Sequence, residues 1–186
     1  MNSLQIETAR LAMRPFELGD TDDLHRLWIA PMVRKYLWDD ETISREVAEE
    51  VIRSSLASFQ SYGFGLWSVF FKGEETLIGF CGFRHFDDPP EVEILYGISP
   101  ANWGAGLATE AARAMLRFGF EENRFDRIYA GADPPNRVSF RVMERCGMKF
   151  EKRITINDKE AIYYSLSRED FCADDAPYHV LRPLLG

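Results

Sequence analysis

Two glycines one residue apart, Gly104 and Gly106, stand just ahead of a helical pattern and are well suited to hold an anion. A turn of small residues leaves backbone N–H groups unobstructed by Cβ atoms. The first N–H groups of a helix lack partners within it, and the helix dipole favours negative charge there. A pyrophosphate meets both conditions. Small residues at a helix start also permit close packing, so the loop alone leaves both readings open. Spelling narrows the choice of anion. No Gly-x-x-x-x-Gly-Lys-Ser/Thr occurs. A dinucleotide fingerprint would need Gly or Ala where Thr109 stands, and an early strand–helix–strand unit, whereas this loop falls past mid-chain.

Other chemistries are poorly served. His25, His85 and His179 are scattered and form no metal-ligand spacing, so no metal is expected. Cys81, Cys146 and Cys172 are odd in number and contain no Cys-x-x-Cys, which argues against a disulfide framework or a zinc knuckle and for a reducing cytoplasm. The Gly-x-Ser-x-Gly elbow of a serine hydrolase is absent. With 22 Lys and Arg against 30 Asp and Glu, the net charge of −8 argues against general affinity for nucleic acid or anionic membrane. One local basic pocket for a phosphate-bearing ligand is still compatible with it. The opening Met1-Asn-Ser-Leu-Gln-Ile-Glu has no basic region followed by an apolar core, so no signal peptide is expected, and no apolar run is long enough to span a bilayer.

The elements that must position the loop follow from periodicity. Gln5 to Phe16 reads as one strand closed by Pro15. Asp20 can cap a helix running through Pro31, and a second helix spans Ile43 to Phe59. Leu66 to Phe71 and Leu77 to Phe83 form a hairpin across Lys72-Gly73-Glu74-Glu75. After a break at Asp87-Asp88-Pro89-Pro90, a strand from Glu91 to Ile98 leads to a helix from Gly104 to Glu121. A strand from Arg127 to Ala132 then precedes a helix from Asn136 to Gly147. Two last strands, Phe150 to Ile156 and Glu160 to Leu166, meet across Asn157-Asp158, and the tail from Cys172 to Gly186 shows no element. This order implies an α/β (mixed α+β) fold: a single domain with a twisted mixed sheet of about seven strands and helices on both faces.

Two motifs together are more specific than either alone. Trp103-Gly-x-Gly-x-Ala-Thr-Glu-Ala111, followed after a strand by Asn136-x-x-Ser139 and Gly147-Met148, resembles the GNAT acetyltransferase superfamily. The likeness is nearer to its RimJ/RimL-type branch, the ribosomal-protein N-terminal acetyltransferases. The element order fits from about Glu7 to Phe171, which would make residues 7–171 the acetyltransferase domain and 172–186 a C-terminal tail.

The resemblance implies acetyl-CoA as donor. The amides of Gly104, Ala105, Gly106, Leu107, Ala108 and Thr109 would bind its pyrophosphate, and Asn136 and Ser139 would line the pantetheine and thiol end. At the position of a polar residue in the superfamily pattern stands Trp103, which removes one phosphate contact. Glu93 would accept the amine proton, commonly through water. An N–H near Gly97-Ile98 would polarise the thioester carbonyl where the strand splays. Met143 occupies the place of a tyrosine acid, leaving Ser139 as the hydrogen-bond donor to sulfur, with Tyr163 and Tyr164 as alternatives; Glu151 is a second acidic candidate ranked behind Glu93. Arg137, Arg141, Arg145 and Lys149 fall four apart as a basic stripe, with Arg137 and Arg141 nearer the adenosine phosphate. Trp28, Tyr36, Trp38, Phe64 and Trp67 gather at the acceptor end, most of them reading as core, with Tyr36 and Trp38 in a loop able to wall a groove. The branch implies a peptide or protein N-terminal α-amine as acceptor. A small-molecule amine is the enzymatic alternative, and a non-catalytic acyl-CoA sensor the alternative of another class. A monomer and a homodimer are both compatible with the sequence.

Overall fold

Ile6 and Leu11 are both fully buried, although their odd separation would put them on opposite faces of one continuous strand. The chain solves this by turning. In the computed structural model, which describes residues 4–86, 91–156 and 159–182, the expected first strand is a hairpin of β1 (Gln5–Glu7) and β2 (Leu11–Pro15), with Ile6 opposite Met13. The Asp87–Pro90 break and the Asn157-Asp158 turn lie outside the described residues.

Pro31 likewise divides what the periodicity suggested was one helix. α1 (Thr21–Trp28) stops first, Ala30 is extended at ψ 129, and Pro31 opens α2 (Pro31–Leu37). Proline suits a first helical position, where its missing N–H has no helical partner to lose. Asp20 does not cap α1 with its side chain. It turns back to close a capping box with Glu17 around a 3-10 turn, Leu18–Asp20. Trp38 is half-buried, its ring packed on buried Trp28 at 6.1 Å. Tyr36 is more than a third exposed.

α3 (Arg45–Tyr62) begins at Ser44, whose Oγ accepts the Val47 N–H, and ends at Gly63. There follow β3 (Leu66–Phe71), β4 (Leu77–Phe86), β5 (Glu91–Ile98), α4 (Leu107–Glu121), β6 (Arg127–Ala132), α5 (Arg137–Arg145), β7 (Lys149–Ile156) and β8 (Lys159–Ser167). The tail is not featureless: β9 (His179–Leu181) pairs antiparallel with β1. The split first strand and this tail strand raise the sheet from about seven strands to nine, in the order β7-β8-β6-β5-β4-β3-β2-β1-β9.

Only β5 and β6 run parallel among the paired strands, joined by the α4 crossover. Helices cover both faces. α1 and α3 bury Trp28, Leu24 and Ile52 against Phe16 and Phe80, while α4 and α5 bury Met115, Phe118 and Met143 against Trp67, Phe83 and Ile94. Trp67 meets Phe118 edge-on at 5.2 Å. Phe64 and Trp67 therefore belong to the core on the α4 side, as expected of most of the aromatic set.

Candidate active site

The open end of the sheet is the seam between its two parallel strands. β5 and β6 pair through Glu93 and Tyr129 alone, so toward Ile98 and Ala132 the described strands diverge. β4 holds β5 along its other edge from Glu91 to Ile98. Alternate amides of Ile94 to Ile98 therefore face the gap.

At the end of β5 the chain makes a 3-10 turn, Pro100–Asn102, then the loop. The Trp103 indole Nε1 donates to the Ile98 carbonyl at 2.6 Å, so this side chain braces the strand end and its ring N–H is already used. Gly104 and Gly106 take φ 79° and 78°, the left-handed region. Nothing lies within 4 Å of a Cβ built at Gly104, and only the Arg10 guanidinium, at 3.9 Å, near one at Gly106. Close packing thus does not explain these glycines; backbone conformation does. α4 starts at Leu107, three residues later than the periodicity suggests, because the two positive-φ residues cannot be helical.

Among the described residues the amides of Gly104, Ala105, Gly106, Leu107, Ala108 and Thr109 donate to no protein acceptor. The first bonded amide is Glu110, to the Gly106 carbonyl at 3.1 Å. Six consecutive unpaired N–H groups at a helix start form an anion site. Beside them lies a cavity of about 380 Å³ whose wall carries Arg10, Arg113, Arg117 and Arg145 together with Glu110 and Asp174. A local excess of positive charge therefore exists in a chain whose net charge is −8.

Across the gap, Asn136 caps α5, its side-chain oxygen accepting the Ser139 N–H at 3.3 Å. The Ser139 hydroxyl lies 2.8 Å from the Tyr96 hydroxyl, a pair in which either can donate, and the single Tyr96 O–H is also within reach of the Ser139 carbonyl at 3.1 Å as an alternative acceptor. Tyr96 reaches from β5 to α5 over the seam. Burial pushes its phenol well above the ordinary value, so it stays protonated and serves as a hydrogen-bond donor. Alternation along β5 marks Tyr96 only as an inward residue, and the bond to Ser139 is invisible to that pattern.

Glu93 is 3% exposed on the opposite face of β5. Its Oε2 accepts from Arg84 Nε and Nη2, both at 2.9 Å, and it also accepts the Gly131 N–H. Burial raises its carboxyl above the usual range, and the Arg84 charge and these hydrogen bonds only partly offset that. Arg84 is the cross-strand partner of Glu93 in the β4–β5 ladder, a signal that strand pairing alone could have supplied.

The remaining expected residues fall elsewhere. Tyr164 stacks on Phe140 and donates to Glu144, and Glu151 pairs with Arg127 and Ser165. Tyr163 stacks on Phe86 within the wall near Glu93. The basic stripe is broken, because Lys149 belongs to β7 and pairs with Asp170. Arg137 and Arg141 are exposed on α5 and unpaired among the described residues.

A mixed sheet splayed between its parallel strands, with unpaired amides at the open end, can hold a phosphate-bearing ligand there. The chain belongs to the acetyltransferase (GNAT) domain family, whose model matches residues 10–149. It is 31% identical over 158 residues to the N-acetyltransferase p20 of Bacillus licheniformis, covering 82% of this chain and 85% of that protein. A GNAT-family acetyltransferase from Bacillus anthracis superposes with a TM-score of 0.75 at 28% identity, over 89% of this chain and 99% of that one. RimL, a ribosomal alpha-N-protein acetyltransferase solved with coenzyme A, shares the fold at a TM-score of 0.71 and 16% identity, over 86% and 95% of the two chains. The protein is an acetyl-CoA-dependent N-acetyltransferase. Among the described residues no group of three or more His, Cys, Asp or Glu is placed to hold a metal ion, and no helix is long and apolar enough to cross a membrane.

Proposed function

We propose that the acceptor is the α-amine of a peptide or protein N-terminus. The observation that carries this is the state of Glu93: burial strengthens it as a base, but its oxygens are already engaged by Arg84 and the Gly131 N–H, which restrains its access to a proton. An α-amine has a pKa of about 7.7–8.0 and a lysine amine about 10.4, so near neutrality the α-amine offers a roughly 300-fold larger uncharged fraction. A restrained base suits the acceptor that needs less help. The reducing cytoplasm suits three free cysteines.

Acetyl-CoA supplies a thioester whose acyl carbon gains the C–N bond as the C–S bond breaks. In this reading the amides of Gly104, Ala105, Gly106, Leu107, Ala108 and Thr109 hold its pyrophosphate, with Trp103 bracing the loop. An N–H at Ile98 faces the carbonyl oxygen. Glu93 receives the amine proton through water. Asn136 orients the first turn of α5, so that the Ser139 hydroxyl, held by Tyr96, donates to the departing sulfur. Arg141, exposed and unpaired, lies nearest the adenosine phosphate.

Incubating the protein with acetyl-CoA and a panel of peptides and amines, following thiol release and acceptor mass together, tests the reading. Product on peptide N-terminal α-amines alone supports it. Product on polyamines, amino acids or aminoglycosides instead overturns it, and tight acetyl-CoA binding without product on any acceptor marks a sensor. Within the mechanism, Ser139→Ala lowers kcat about tenfold, the loss expected for one hydrogen bond to developing charge. Tyr96→Phe lowers it less, and adds nothing in the Ser139→Ala background because it acts through the same hydroxyl. Additive losses in that double-mutant cycle would separate the two residues.

A further inference from the structure

We infer that Arg10 is a positioning residue for the donor, setting the orientation of the Ala105–Gly106 peptide so that its N–H, not its carbonyl, faces the pyrophosphate. The inference rests on the reading of the loop as the pyrophosphate site. Arg10 lies in the turn between β1 and β2, far from the loop in sequence. Its Nη1 donates to the Ala105 carbonyl at 2.9 Å. Its Nε and Nη2 grip Glu110 Oε2 at 2.7 and 2.6 Å. The other Glu110 oxygen accepts the Arg10 N–H at 2.9 Å and the Thr8 hydroxyl at 2.6 Å. Burial alone would raise the Glu110 carboxyl, but Thr8 and Arg10 together hold it below the usual carboxylate range. Glu110 is thus a fixed anchor in the first turn of α4, and Arg10 bridges that anchor to the loop.

The consequence follows from peptide geometry. In a planar trans peptide the C=O and the following N–H point in opposite directions. Holding the Ala105 oxygen on the Arg10 side directs the Gly106 N–H to the other side, among the unpaired amides of the loop. This peptide needs such a hold. Gly106 follows it and Gly104 precedes Ala105, both at positive φ, and glycine turns over between left- and right-handed regions at little cost. A flipped peptide would aim a carbonyl oxygen at a diphosphate. The Arg10 charge is itself neutralised by Glu110, so its effect on the donor is orientation rather than long-range attraction.

The test compares acetyl-CoA with S-acetylpantetheine, which carries the same thioester and lacks the pyrophosphate. For Arg10→Gln the expected result is a KM for acetyl-CoA about tenfold higher, kcat within about twofold, and unchanged kcat/KM for S-acetylpantetheine. Arg10→Lys keeps a cation beside Glu110 but has no second nitrogen to reach Ala105. It should melt close to the parent protein and show the same donor-selective rise. Equal losses with both donors would mean that Arg10 only supports the fold, and an unchanged acetyl-CoA KM in Arg10→Lys would also overturn the inference. If the unaltered enzyme uses the two donors with equal kcat/KM, the pyrophosphate reading of the loop fails, and the inference with it.

Discussion

Glu93→Gln is expected to lower kcat by about a hundredfold at saturating acceptor, the lower range for losing a positioned general base. The loss is not uniform in pH. In the unaltered enzyme the rate falls at low pH as Glu93 takes a proton, and burial has moved that limb upward from the ordinary carboxylate range. The amide has no such limb. At high pH the acceptor amine sheds its own proton and the base matters less. The ratio of the two rates should therefore peak between the raised Glu93 value and the α-amine value of about 7.7–8.0. A pH profile for the Glu93→Gln variant that runs parallel to the parent profile would remove Glu93 from proton transfer.

The same substitution has a stability signature of opposite character. A folded carboxyl with a raised pKa binds its proton more tightly than the unfolded chain does, so its favourable contribution is full at low pH and is lost as pH rises through the folded value. Replacement by an uncharged amide should accordingly shift Tm in favour of the variant as pH rises through that range. A variant that loses turnover while its relative stability improves is a catalytic lesion. One that loses both in parallel is a structural one.

What could be read from the residues divides along a physical line. The anion loop was legible because its chemistry is local: two glycines and a helix start suffice to expose amides, whatever surrounds them. The stripe of α4 and the β3–β4 hairpin were legible because burial repeats with the period of the element. On α3 the expected inward set of Val47, Val51 and Leu56 was displaced: Val47 is exposed, and Ala48, Ile52 and Ser55 are the buried residues. The β1–β2 turn also had a local sign, the odd spacing of Ile6 and Leu11, which the closing role given to Pro15 overrode. Strand β9 had none. Its three residues exist as a strand only because β1 offers a free edge, and that pairing joins the two ends of the chain. In the site, Glu93 and Ser139 were reachable through motif position, whereas their partners Arg84 and Tyr96 depend on strand register and on where α5 crosses the seam. Arg10 shows the same limit most sharply, since its two anchors are about a hundred residues away.

The largest stability effect is expected on the other side of the sheet, at Asp20. Its carboxylate is 7% exposed as a residue and fully engaged: Arg14 Nη1 and Nη2 at 2.8 and 2.7 Å, the Glu17 N–H at 2.9 Å and the Ser68 hydroxyl at 2.7 Å. Burial alone would raise this carboxyl, but these four donors and the Arg14 charge hold it below the usual range. Four elements meet there: β2 through Arg14, the 3-10 turn through Glu17, β3 through Ser68, and the start of α1. Asp20→Ala strips Arg14 of its bidentate partner, leaving it only Glu17 at 3.7 Å and the Pro15 carbonyl at 3.2 Å, and leaves Ser68 and an amide without an acceptor. The expected cost is about 3 kcal/mol, the low end for a broken buried pair because Arg14 keeps 26% of its side-chain surface in solvent. For a chain of this length that lowers Tm by roughly 6–12 °C near neutral pH. A depressed carboxyl contributes stability above its unfolded value of about 3.9 and loses it as pH falls through the lower folded value. Melting curves of parent and variant should therefore converge as pH drops below about 4, and equal Tm values at pH 7 would refute the ion pair's role. Below the variant's Tm the acetyl-CoA KM should hold, because the amides of Gly104 to Thr109 are oriented from β5, α4 and Arg10, none of which touches Asp20. Acceptor KM is the quantity expected to move, since α1 and α2 follow directly from the turn that Asp20 ties down.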